Sequence, residues 1–460
     1  MADPMNDYLL HPDSLVEEGI HTVIVATPDS QGRLIGRRIP VKRFPTIIEN
    51  GVEVCTCAWA WGVDQSFDLI SANVLRVCSL HNGAPDVALM PDLSTLRRAA
   101  WLDGIAICLA DPVWPGTGEP MEESPRVQLR RETERYRELG LQPKAGTELE
   151  FYLFRNDPYE LRLGGFTDLR PTTLTPNDFL LSEGNHYEPF FRKLREDLER
   201  SGIEIEAAQS EWGTGQWEMT FEYGDPLEMA DRHALYKMAV RDSARAAGYS
   251  VTFMAKPITE QAGSSCHVHF SVLGADGSPV FYDPHAEFGM SELMRHALAG
   301  VIERSPELMA WYAPTINSYR RTATDDTFDF GRSWGRENRY VSNRVVGHGP
   351  STTRFEFRVP GADTNPYLTL LGLLASARDG MERRAELGAA TSGVPENVGQ
   401  DSKMPFTLKE AAQAMEASSF VRDLVGEECR TLFTALADLE WRAAQAAVTD
   451  WDRDRYFDRI

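Results

Sequence analysis

Four segments of this chain alternate apolar and functional side chains with a period of two: Glu148-Leu-Glu150-Phe151, Gln216-Trp-Glu218-Met219, Cys266-His267-Val-His269-Phe270 and Arg354-Phe-Glu356-Phe-Arg358. Successive side chains of a strand point to opposite faces, so each segment predicts a strand with its charges on one side and its bulk on the other. Glu211 stands just upstream of the second segment. If these strands lie side by side, one face of the sheet is apolar and needs a cover. The other face gathers acids that repel one another unless cations sit among them. Glutamates with a histidine point to hard divalent cations held by carboxylate oxygens, and the interleaved arginines point to an anionic substrate. The His267-x-His269 pair leaves zinc open, but the dominance of glutamate favours magnesium or manganese. Cations, carboxylates and arginines together are the equipment of phosphoryl transfer.

No GxxxxGK[ST] and no GxGxxG occurs, so any nucleotide binds without a P-loop or a Rossmann turn. Lysine and arginine number 47 against 69 acids, a formal charge of −22 that argues against nucleic acid or an anionic membrane as partner. The opening residues carry no basic stretch followed by an apolar one, and no apolar run approaches the roughly 18 residues of a membrane span. A cytoplasmic protein is expected. Six cysteines are scattered, and Cys55-Thr-Cys57 has the spacing of neither a zinc knuckle nor a redox pair, so buried reduced thiols are expected.

The chain divides by composition. Residues 20–110 read as short strands and turns, with Thr22–Thr27 and Ile105–Ala110 as strands and Asp29-Ser-Gln-Gly-Arg33 as a turn. The stretch Asp111–Pro120, rich in proline and glycine, marks a boundary. Beyond it Ser124-Pro125, Asp225-Pro226 and Asn365-Pro366 each open a helix with a capping residue and a first-turn proline. The fold class is α+β, with a small domain over 1–115 and a large one over 120–460.

In this order along the chain, the motifs resemble the glutamine synthetase family. They are Glu148–Phe154, Glu211-x-x-x-Gly-Gln-x-Glu218, Phe253-Met-Ala-Lys-Pro257, Gly263-Ser-Ser-Cys-His-Val-His269, Asn317-Ser-Tyr-Arg-Arg321, Arg354–Arg358 and Gly361-Ala-Asp-Thr-Asn-Pro-Tyr367. Gly32-Arg-Leu-Ile-Gly-Arg-Arg-Ile-Pro40 is similar to the turn of the family's N-terminal β-grasp domain. The resemblance implies such a domain followed by a catalytic domain with an antiparallel sheet and surrounding helices. It implies ATP, two or more divalent cations (Mg2+ or Mn2+), and L-glutamate. Glu150, Glu211 and Glu218 would hold one cation, and Glu148, His267 and Glu356 the other. Arg321, Arg358 and Gly263 would hold the glutamate, and Arg339 would steady the transferring phosphate. Arg344, Arg354, His269, Ser271 and Tyr223 would line the nucleotide side. The implied chemistry phosphorylates the γ-carboxylate of glutamate, and an amine then displaces the phosphate. A ring-shaped homododecamer is implied as well.

The pattern departs from ammonia-using members at the amine side. Thr322-Ala-Thr-Asp325-Asp326-Thr-Phe-Asp329 follows Arg321 without the family's closing glutamate, and Cys55-Thr-Cys-Ala-Trp59-Ala-Trp61 lacks its ammonium-binding aspartate. Ala262 replaces a usual asparagine. These variants look like the γ-glutamylamine ligase branch. Trp59 and Trp61 are expected to wall a pocket for a larger amine, with Asp326 or Asp325 in place of the missing glutamate. An ammonia-using enzyme and a non-catalytic assembly protein are the rival readings.

Overall fold

The computed structural model describes residues 8–323, 331–395 and 404–460. Six strands form the first sheet: β1 (Thr22–Pro28), β2 (Leu34–Pro40), β3 (Val52–Cys55), β4 (Asp86–Pro91), β5 (Arg97–Arg98) and β6 (Ile105–Val113). Their order is β2-β1-β6-β4-β3, with β5 on β6; β1 and β6 run parallel and the other pairs antiparallel. The turn expected between β1 and β2 is built by Asp29, whose carboxylate accepts the amides of Gln31 (3.0 Å) and Arg33 (2.8 Å).

The second sheet holds β7 (Leu141–Phe154), β8 (Ile205–Ser210), β9 (Gln216–Phe221), β10 (Ser250–Thr252), β11 (Cys266–Gly274), β12 (Trp334–Arg336), β13 (Asn343–Val346) and β14 (Arg354–Phe357). The order is β12-β13-β14-β11-β7-β9-β8, with β10 on β7. All four charged segments fall in β7, β9, β11 and β14, which are neighbours. The expected antiparallel sheet is corrected at one edge, where β12 and β13 pair in parallel. Residues 337–342 cross between them, so the two edge strands enter the sheet in one direction.

Burial along β11 alternates without a break, with Cys266, Val268, Phe270 and Val272 inside and His267, His269 and Ser271 on the open face. The inner face, with Leu149, Phe151, Trp217, Met219, Phe355 and Phe357, packs into the main core. Helices Pro125–Glu138, Pro226–Ala246, Glu292–Tyr312 and Pro366–Arg383 share that core. The three proline starts lie where the sequence puts them, and Asp225 and Asn365 cap their helices through Leu227 and Tyr367 amides. Helices Glu292–Tyr312 and Pro366–Arg383 touch backbone to backbone: a Cβ on Gly300 would lie 2.7 Å from the Cα of Gly380.

A buried ionic knot ties the first sheet to helices of the larger core. The fully buried Arg126 guanidinium donates to Asp231 (2.8 Å), Asp111 (2.6 Å) and Asp92 (3.0 Å), and Tyr367 donates to the same Asp231 (2.7 Å). The helix Ser419–Ala446 bridges both cores, placing Leu432 in the smaller and Phe433 in the larger. Among the described residues no helix is long and apolar enough to cross a membrane.

Candidate active site

Strand register gathers the acids. Glu148 lies opposite His267, Glu150 opposite Glu218, and Glu356 opposite both His269 and Arg344. Glu211 follows the end of β8 and is steered toward the same face by Gln209, whose amide reaches Glu211 (3.1 Å) and Glu218 (3.2 Å). Six acidic and imidazole side chains expected as ligands therefore share one face of one sheet.

The face has two electrostatic halves. In the first, Glu148 and Glu356 are already answered by cationic or donor groups. Burial alone would raise the Glu148 carboxyl, but hydrogen bonds with His267 and His269 hold it far below the usual range. Burial likewise opposes ionisation of Glu356, and the charges of His267 and Arg358 outweigh it. Arg358 pairs with Glu356 directly, and Arg344 reaches Glu356 (3.1 Å) and Glu337 (2.7 Å). In the second half, burial and then the charge of Glu211 push Glu150 up to about 8, while burial, Glu150 and Glu148 push Glu218 up to about 10. Glu211 is raised too, first by burial. Three acids whose ionisation is opposed by burial and by one another fit a divalent cation, which would restore their charge.

Glu148, His269 and Glu356 offer ligand atoms within 4.8 Å of one another. The sequence reading put His267 with this pair and His269 elsewhere, and the structure brings in both rings. His269 Nε2 lies 2.7 Å from Glu148, and Arg354 Nε donates to its Nδ1 at 2.9 Å. That bond leaves the ring proton on Nε2, where it points at Glu148 and blocks ligation in this tautomer. His267 Nδ1 lies 3.4 Å from Glu148 and 3.4 Å from Glu356.

The remaining expected residues are spread more widely. Arg321 is buried, and its guanidinium donates to the carbonyls of Val359 (2.6 Å) and Pro360 (2.9 Å), so it grips the loop after Arg358. Gly263 is pressed against that side chain: a Cβ there would stand 2.4 Å from Arg321 Cγ, and its carbonyl accepts from Gln216 (3.0 Å). Ser271 donates to the Thr353 carbonyl (3.2 Å) beside Arg354. Tyr223 is exposed and borders Gly146 on the strand-β7 side, and Arg339 is exposed between β12 and β13. Trp59 is fully buried in the smaller core. Trp61 is half-buried against the same core. Asp325, Asp326 and Asp329 lie outside the described residues.

Two groups escaped the sequence reading. Gln209 stands two residues before Glu211, a period-two signal of the same kind as the others. The Ser265 amide, 2.8 Å from Glu150, leaves no side-chain signal at all. Gln216, noted on its face without a role, donates to the same Glu150 oxygen at 2.8 Å.

A carboxylate-and-imidazole sheet face rimmed by arginines is chemically suited to divalent cations and anionic groups. Residues 122–456 match the family model for the glutamine synthetase catalytic domain, and the chain belongs to the glutamine synthetase family as a carbon–nitrogen ligase. It is 38% identical over 450 residues to gamma-glutamylethanolamide synthetase GlnA4 of Streptomyces coelicolor, covering 97% of this chain and 95% of that one. It is 31% identical over 451 residues to a glutamate–isopropylamine ligase of a Pseudomonas species, covering 97% of each. The solved structure of a GmaS/ADP complex superposes with a TM-score of 0.84 at 25% identity, over 97% of this chain and 99% of that one.

Proposed function

We propose that the protein joins the γ-carboxylate of L-glutamate to a primary amine larger than ammonia, using ATP and releasing ADP and phosphate through γ-glutamyl phosphate. The observation that carries this reading is the single sheet face with Glu150, Glu211 and Glu218 on one side and Glu148, His267 and Glu356 on the other. The names of the relatives support an organic amine, since one is a gamma-glutamylethanolamide synthetase and the other a glutamate–isopropylamine ligase.

In this reading Glu150, Glu211 and Glu218 would hold the cation that serves the glutamate, and Glu148, His267 and Glu356 the one that serves the nucleotide. Bound cations would neutralise phosphate charge and allow the acids around them to stay ionised. Arg358, anchored on Glu356, meets the glutamate carboxylate, with Arg321 and Gly263 shaping the loop behind it. Arg344, Arg354, His269, Ser271 and Tyr223 line the nucleotide, and Arg339 steadies the transferring phosphate. Asp326 or Asp325 takes the proton from the attacking amine. The first sheet is the β-grasp domain, 1–115, and the catalytic domain is 120–460. Subunits assemble as a ring-shaped dodecamer in the cytoplasm, where the ligase serves amine catabolism.

Phosphate release measured with glutamate, ATP and a panel of ammonium, putrescine, ethanolamine, isopropylamine and an aniline tests the reading. Turnover with at least one organic amine, exceeding that with ammonium, is expected. Turnover with ammonium alone refutes it.

A further inference from the structure

Three of the cysteines converge although the sequence places them in no recognised pattern. Cys55 ends β3 and is half-exposed, while Cys57 opens the short helix Cys57–Ala60 and is buried with Cys78 behind it. The Cys55 and Cys57 sulfurs lie 2.7 Å apart, and Cys57 and Cys78 lie 3.6 Å apart. The Cys57 amide also donates to Cys55 Sγ (3.3 Å), folding the tripeptide so that its two sulfurs face one another. Cys55 is the member that solvent reaches.

We propose that Cys55 and Cys57 form a reversible dithiol site that reacts with low-molecular-weight disulfides such as oxidised glutathione, and that its closure is felt at the substrate site. The Cys55 thiol loses its proton and attacks one sulfur of the reagent, forming a mixed disulfide; the other sulfur departs as a thiolate and takes up a proton. The Cys57 thiol then loses its proton and attacks Cys55 Sγ, breaking the mixed disulfide and releasing the second small thiol. Two protein thiols become one disulfide, and one small disulfide becomes two thiols.

The link to the site is short. Ser30 donates to the Trp59 carbonyl (2.7 Å) and Gln31 to the Trp61 carbonyl (3.2 Å), so the turn between β1 and β2 reads the position of the helix that Cys57 opens. Asn365 donates to the Ser30 carbonyl (3.1 Å) and caps the helix Pro366–Arg383. Asn365 ends the loop that starts at Arg358, whose carbonyls are gripped by Arg321 at Val359 and Pro360 and by Lys237 at Ala362 (2.8 Å). Burial, with Cys57 and the facing Asp86 of β4 adding to it, pushes the Cys55 thiol up to about 11, and burial raises Cys57 and Cys78 as well. Thiolate is therefore scarce near neutrality, and exchange speeds up about tenfold per pH unit until the thiol titrates.

The full chain is incubated with oxidised glutathione at pH 7.0 and pH 8.5, alkylated, and digested with trypsin. Cleavage after Arg43 and Arg76 places Cys55 and Cys57 in one peptide, 44–76, and Cys78 in the next. The expected product is peptide 44–76 lighter by two hydrogens, formed faster at pH 8.5, with Cys78 still alkylated and everything restored by dithiothreitol. Cys55→Ser abolishes the closure and Cys78→Ser leaves it intact, with melting curves confirming that both variants are folded. No closure at pH 8.5, or a cross-link between 44–76 and the Cys78 peptide, overturns the assignment. The kinetic arm rests on the proposed function: closure shifts the glutamate KM about fivefold, a modest coupling between sites. An unchanged KM in the fully oxidised enzyme overturns the coupling. A protein inactive with every amine even when reduced counts against the ligase reading instead, and the peptide result stands apart from it.

Discussion

Replacing Glu218 by glutamine removes an ionisable carboxyl from the half of the site where burial and neighbouring acids oppose ionisation. The change is nearly isosteric, and the new amide oxygen can still accept from Gln209. In the cation-free protein the Glu218 carboxyl stands at about 10 against an ordinary 4.5. A carboxyl raised on folding holds a proton that the unfolded chain has released, so its effect on stability is absent below pH 4.5 and grows unfavourable as pH climbs toward 10. The slope is at most about 1.4 kcal/mol per pH unit for one proton. Between pH 6 and pH 8 the glutamine variant should therefore gain on the parent by about 2–3 kcal/mol, or about 3 °C in Tm for a chain of this size. Thermal melting with EDTA at both pH values reads this gap. Adding magnesium or manganese should raise the parent and close the gap, because bound cation restores the carboxylates. A gap that does not widen with pH, or a variant that melts below the parent at pH 8 without cation, refutes the reasoning.

Glu150→Ala should abolish cation-dependent stabilisation in the same melting assay, since Gln216 and the Ser265 amide cannot replace its oxygens. Arg126→Met should strip Asp231 of its guanidinium partner, while Arg130 still pairs with Asp92 and Asp111, and cost about 3–5 kcal/mol in denaturant unfolding. Gly263→Ala should raise the glutamate KM with a smaller effect on ATP, because the new methyl displaces Arg321. Gly300→Leu should lower Tm by several degrees by forcing apart two helices that meet at Gly380.

Much of the architecture was legible because a strand can advertise its two faces in one dimension. Period-two alternation marked β7, β9, β11 and β14 and told which residues share a side, and the Ser-Pro, Asp-Pro and Asn-Pro pairs marked three helix starts. Local spacing is silent about register, however. That Glu150 faces Glu218, and that Arg354 reaches across to His269 and so sets its tautomer, are facts of strand pairing. Nor does composition tell how deeply an indole is buried: Trp59 lies wholly inside the smaller core. Cys55-Thr-Cys57 failed every spacing rule, yet a strand end running straight into a helix turns its sulfurs together. The sequence by itself determined the chemistry available, acids and imidazoles on one side of four strands with arginines among them. Only the tertiary structure decided which acids are held ionised by neighbouring groups and which are pushed toward the neutral form, because charge compensation depends on distance and burial, and neither is set until the strands pair.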